Sequence, residues 1–225
     1  MTRRVFITLL TVFFGVRGLA LAPQSPPPAV PPAHWVPLTA RSTEKHLAKG
    51  HMGSFKMMQF QGIYARTASG ITYSRVGNLS GHDPWGRSRP DVALITDRPR
   101  HVQWKIDFHE KIVLHWDLAK DNPEFAEQPM TREVFEKMHA QDVSLGHRVI
   151  SGMACDGYLV RDEENASKAY RHERWYAPAL NFLLIRSRVS NPDGSITTQA
   201  LIDIHTGQEP DPVLFRFPEG FKVMK

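Results

Sequence analysis

Cysteine is almost missing from this chain: Cys155 is the only one in 225 residues. One thiol cannot close an internal disulfide, so stability must come from a buried core. Cys155 lies in MACDGY, among apolar and aromatic neighbours and with no basic residue beside it. That setting points to a buried, inert thiol, with an intermolecular disulfide or a reactive nucleophile as the alternatives. A strong charge of one sign is also missing. Removing residues 1–22 takes away Arg3, Arg4 and Arg17 and no acid, so the formal charge of +5 falls by three to +2. Strong attraction to nucleic acid or to a membrane is therefore not implied.

The common catalytic signatures are absent as well. There is no G-x-S-x-G elbow, and GITYSRVG and GHDPWGRS lack both the spacing of a phosphate loop and the helix that follows one. Eleven histidines invite a metal site, yet His109-Glu110 runs on into Lys111, Ile112 and Val113, and His172-Glu173 into Arg174, Trp175 and Tyr176, so no HExxH forms. His101 and His115 are placed to face each other across a hairpin centred near residues 107–111. Two ligands are too few for zinc, and polar-face histidines on strands are the better reading. No metal and no cofactor is expected. Arg87, Arg89, Arg98 and Arg100 cluster around one loop pair beside Trp85. This reads as a solvated loop face, with peripheral contact to an anionic surface such as lipid headgroups as the sharper alternative; no nucleic-acid partner is expected.

What is present begins with an export signal. Arg3 and Arg4 precede the apolar run at residues 5–16, and Ala20-Leu21-Ala22 supplies small residues for cleavage. The run is shorter than the about 20 apolar residues of a spanning helix. An uncleaved anchor is the alternative, and because Pro23 would hinder a cut after Ala22, a cut after Ala20 competes with it. Localisation is expected to be periplasmic or extracellular. Residues 23–37 hold seven prolines and read as a semi-rigid polyproline tether. Residues 38–225 form one β-rich domain.

Within that domain the dominant period is two. Val102, Trp104 and Ile106 alternate with polar residues. Ile112, Leu114 and Trp116 do the same although Val113 breaks the polarity, and Ile196, Ala200, Ile202 and Ile204 share one parity. Ser69-Gly70, Lys49-Gly50 and Asn191-Pro192-Asp193-Gly194 are turns, and residues 78–90 are a long loop. Thr131 caps a helix running to about Gln141, with Val134, Phe135 and Met138 inward. The helix divides the chain into β halves at 38–118 and 143–225. The first half is rich in large adaptable side chains. Phe55, Met57, Trp104, Ile106, Leu114 and Trp116 are the candidates for an apolar ligand surface, against the plainer reading that they fill the core.

The closing stretch GQEPDPVLFRFPEGFKVMK offers Glu209 and Asp211 as an acid/base pair, but no nucleophile or oxyanion donor accompanies them. Pro210 and Pro212 forbid a central strand there, so the stretch reads as a clamp pinning the C-terminus onto the sheet, with Phe221 and Val223 starting an edge strand.

LGHRVISGMACDGYLV, then WYAPAL, NPDG and GQEPDPVLFRFPEGFKV, resemble the C-terminal half of an uncharacterised group of exported bacterial proteins abundant in acidobacteria. The residues that carry the resemblance include Gly152, Gly157, Trp175, Tyr176, Pro178, Pro192, Gly194, Glu209, Asp211, Phe215 and Gly220. The first half matches more loosely, through LTARSTEKHLAKG and GIYARTASG. More distantly the chain is similar to the LolA/LolB-like lipoprotein-carrier superfamily. That resemblance implies a mainly β fold, a single curved antiparallel sheet forming a half-barrel with one principal helix. It also implies no enzymatic activity, and a lipid or lipoprotein acyl chain as partner on the concave face. A protein-interaction module without a cavity is the second expectation, and a hydrolase or metalloenzyme the third.

Overall fold

The computed structural model describes residues 32–49, 54–77, 91–118, 128–160 and 170–224. The expected signal segment, most of the proline-rich tether and the Trp85 loop lie outside the described residues. Among these residues twelve strands follow in order: β1 (Leu38–Lys49), β2 (Phe55–Arg66), β3 (Ile71–Gly77), β4 (Val92–Asp97), β5 (Val102–Asp107), β6 (Ile112–Asp117), β7 (Val143–Ile150), β8 (Met153–Val160), β9 (Arg171–Ala177), β10 (Leu183–Ser190), β11 (Ile196–Thr206) and β12 (Lys222–Met224). Among the described residues one α-helix, α1 (Arg132–Met138), separates β6 from β7.

The strands form one open, curved sheet in the order β12-β6-β5-β4-β3-β2-β1-β11-β10-β9-β8-β7. The fold class is thus mainly β with one principal helix, as the sequence implies. The two β halves are not separate, because β1 pairs along its length with β2 on one side and β11 on the other. The sheet is also not wholly antiparallel: β12 pairs with β6 in parallel, after the chain has passed from β11, across β1 to β6, to that edge.

Cross-strand partners share a face. Ala65, Tyr73, Ile95, Trp104 and His115 are successive partners on one face, and Tyr64, Ser74, Leu94, Lys105 and Leu114 on the other. The first face carries a core of Ala65, Tyr73, Ala93, Ile95, Ile106 and Val113. Val113, which breaks the expected polarity of β6, is fully buried and pairs with Ile106, while Trp116 is exposed. The inward parity of β6 is therefore the reverse of the expected one. A bulge in β11 at Asp203 (φ 50°) likewise switches parity, so that Leu201 and Ile204 both pack on the same core.

The C-terminal segment seals the first face. Phe215 meets Tyr73 edge-on at 6.3 Å, Phe217 meets Trp104 at 5.8 Å and Phe221 meets Phe108 at 5.9 Å. Lys222 N–H then donates to Lys111 O at 3.0 Å as β12 starts. The clamp is held at its start by two carboxylates: Glu209 Oε1 accepts from Ala68 N–H at 2.9 Å, and Asp211 Oδ1 from Val213 N–H at 2.9 Å.

Helix α1 covers the other face. Thr131 caps it, accepting from Val134 N–H at 3.3 Å. It stops at Met138, short of Gln141: after His139 the helical bonds give way to tight turns, with Ala140 N–H donating to Lys137 O at 3.4 Å and Asp142 N–H to His139 O at 3.0 Å, and the chain enters β7. Of the three expected inward residues only Phe135 is buried; Val134 and Met138 face solvent. Seven residues make two turns, which present a single inward position.

Candidate functional site

Phe135 anchors the helix in an aromatic cluster. Its ring stacks on Phe182 at 4.1 Å and 12°, and meets Tyr176 edge-on at 5.0 Å and Tyr158 at 5.5 Å. His139 stacks on Tyr158 at 4.8 Å, and its Nδ1 lies 2.6 Å from Asp142 Oδ2. The helix thus stands off the sheet on aromatic supports, and space remains beneath it.

That space is a cavity of about 670 Å³, walled by Phe135 and His139 on the helix side and by Trp35, Tyr64, Arg66 and Tyr176 on the sheet side. A second cavity of about 310 Å³ lies in the trough of the curved sheet across β2, β1, β11 and β10, walled by Phe60, Tyr64, Leu183, Ile185 and Leu201 with Ser42 and Glu44 at one side. The two share Tyr64, Leu183 and Leu184. Together they have the size of a small-molecule site, and the smaller one is mostly apolar.

Arg66 ties this region together. It is 2% exposed. Its Nε donates to Val36 O at 3.0 Å, Nη1 to Leu180 O at 3.1 Å and Nη2 to Asn181 Oδ1 at 3.4 Å. Asn181 is left-handed (φ 58°, ψ 45°), a conformation asparagine tolerates. Its side chain also donates to Pro32 O and His34 O. Residues 32–37, within the expected tether, therefore lie against the domain, and Trp35 is buried over Gly70. Burial pushes the Arg66 pKa down, opposed by Tyr64 and aided by the like charge of Arg98, and burial pushes the Tyr64 phenol up.

The structure does not bring the six candidate apolar residues to one surface. Ile106 and Trp104 belong to the sealed core, where Phe217 covers Trp104. Met57 stands on the same face, exposed, and Phe55 opens β2 on that parity. Leu114 and Trp116 stand on the opposite face, that of Tyr64. None of the five with described side chains lines either cavity. Sequence reading missed Arg66, Trp35 and Asn181. The available signal was a cation on the inward parity of GIYAR and a left-handed asparagine after PAL.

The remaining chemistry is structural. His101 and His115 are not partners: β5 and β6 are joined by a four-residue turn, which places His115 opposite Trp104 and His101 in the preceding turn at φ 53°. Among the described residues no three His, Cys, Asp or Glu side chains converge as a metal site. Cys155 is buried, and burial together with Asp156 pushes its thiol up to about 12. Glu209 and Asp211 are spent on backbone N–H groups, as above. Among the described residues no helix is long and apolar enough to cross a membrane.

No protein-family model and no curated protein matches the chain. Its fold is similar to solved structures. One is an uncharacterized conserved protein from Thermus thermophilus, at 9% identity and a TM-score of 0.47, covering 84% of this chain and 89% of that one. Another is MucA/MucB from Pseudomonas aeruginosa, at 15% identity and 0.44, covering 83% of this chain and 58% of that one, so that the match spans little over half of its length. A third is a putative outer membrane lipoprotein-sorting protein domain from Vibrio parahaemolyticus, at 12% identity and 0.34, covering 80% and 92%. At these values none of the three carries a function to this chain.

Proposed function

We propose that this protein is a non-enzymatic, exported cell-envelope protein that holds an apolar or amphiphilic ligand between helix α1 and the trough of the sheet. The observation that supports this most is the pair of adjoining cavities of about 670 and 310 Å³ behind Tyr64, Leu183 and Leu184. The short helix suits a cover: it rests on one buried side chain and makes no strand-like ladder with the sheet. Leu114 and Trp116 extend the same face beyond the cavities, as a rim for the ligand or its donor. The signal pattern of residues 3–22 supports a place outside the cytoplasm.

Native mass spectrometry of the protein, purified from its envelope without detergent, tests the reading. A discrete extra mass released on denaturation, and identified as lipid, is the expected result. A bare chain that also fails to take up added alkyl ligands would overturn it and leave a protein-interaction module, for which the open edge of β7, with Val143 and Val149 exposed, is the available surface.

A further inference from the structure

Two features of the larger cavity are not explained by an apolar ligand alone. The first is Arg66. A guanidinium that is 2% exposed has left water almost entirely, and such a charge is stable only when an opposite charge accompanies it. Among the described residues no carboxylate does so. The hydrogen bonds of Arg66 go to two backbone carbonyls and an amide oxygen, and they engage three of its five N–H groups. The titratable groups that act on it are the buried Tyr64 phenol and a second cation, Arg98. Both guanidiniums lie against one indole, at 5.2 and 5.3 Å from the Trp35 ring.

The second feature is the balance of charge around the cavity. Among the described residues, Arg66, Arg98, Lys137 and Arg174 line it, against one carboxylate, Asp142, which already binds His139. The neighbouring cavity is of the opposite character, walled chiefly by Phe60, Leu183, Ile185 and Leu201. A cationic chamber that opens through Tyr64 and Leu184 onto an apolar one matches a molecule with an anionic head and an alkyl tail.

We infer that the cavity beneath α1 is an anion subsite, in which Arg66 binds the carboxylate or phosphate head of an amphiphile whose tail lies in the trough toward Phe60. This rests on the ligand-holding reading above and names the chemical class of its ligand. The two N–H groups of Arg66 that no described residue engages supply donors for the head, and a charge-assisted pair in so dry a site is stronger than a neutral one. The Trp35 indole offers both cations a cation–π contact.

The test is calorimetric titration of delipidated protein at neutral pH with decanoate, 1-decanol, decyl phosphate and inorganic phosphate. Decanoate and decyl phosphate are expected to bind at least about tenfold more tightly than decanol, as one charge-assisted contact provides. Arg66→Gln should remove the preference for decanoate over decanol. Arg98→Gln, which leaves the bonds of Arg66 to Val36, Leu180 and Asn181 in place, should lose part of the same preference. Equal binding of decanoate and decanol by the unmodified protein would overturn the anion subsite and leave the apolar reading standing. Failure of all three alkyl probes would overturn the ligand-holding reading itself. Inorganic phosphate binding as tightly as decyl phosphate would replace the amphiphile with a free anion and overturn the inference.

Discussion

The two faces of one sheet are finished in different ways. On the face of Trp104 and Ile106 the chain's own C-terminal segment lays Leu214, Phe215, Phe217 and Phe221 over the core and then joins the sheet as β12. On the face of Tyr64 the cover is a two-turn helix fixed by Phe135, with one cavity lined by it and a second beside that one in the trough of the sheet. A cover that is continuous with the sheet's hydrogen bonding cannot lift without breaking a strand, whereas a cover resting on side chains can. On the proposed function, stability belongs to one face and ligand exchange to the other.

Substitutions can break this contrast. The largest effect is expected on the sealed face: Ile106→Ala should cost about 2–5 kcal/mol of global stability, read as a lower urea midpoint, because neighbouring strands leave little room to collapse. A smaller loss should follow Thr131→Ala, about 1 kcal/mol from the missing N-cap. Hydrogen exchange should show that loss confined to residues 132–139, with the strands unaffected; equal deprotection of β4 and β5 would mean that the helix is not an independent cover. Leu184→Trp, directed at the shared wall, should change stability by about 1 kcal/mol or less, since space is available, yet abolish decanol uptake. The smallest effect concerns Cys155. Its thiol is raised from 9.0 to about 12 in the folded protein, so the folded state retains the proton that the unfolded state gives up. Stability from this group is complete below pH 9 and falls as pH rises toward 12. Alkylation at mildly alkaline pH should accordingly be negligible without denaturant; rapid labelling of the native protein would contradict the buried-thiol account.

Much of the architecture is legible in the sequence because strand periodicity and turn residues are local properties. The hairpins around Ser69-Gly70 and Asn191-Gly194 and the capped helix at Thr131 all follow from neighbouring residues. The clamp is legible too, since Pro210 and Pro212 bar a ladder and the aromatics after them need a surface. Three things are not. The union of β1 with β11 joins residues more than 150 positions apart over most of its length, and no local signal encodes it. The parity of β6 reads backwards because Leu114 and Trp116 are bulkier than Val113, whereas burial went to the side chain that fits between Ile106 and the C-terminal segment. Size and type single out the six apolar candidates, but the ligand-sized space forms where the sheet curves and the helix stands off, a property of long-range geometry. Arg66 is visible only as an inward-facing cation whose partners, Leu180 and Asn181, come from the far half of the chain.

The most direct test of which face holds a ligand is a crystal structure with an alkyl carboxylate brominated at the tail end, its bromine located by anomalous scattering. The account predicts a bromine peak in the trough between Phe60, Tyr64 and Leu184, with the carboxylate within hydrogen-bond reach of Arg66. A peak on the opposite face, beside Met57 or Trp104, would contradict it.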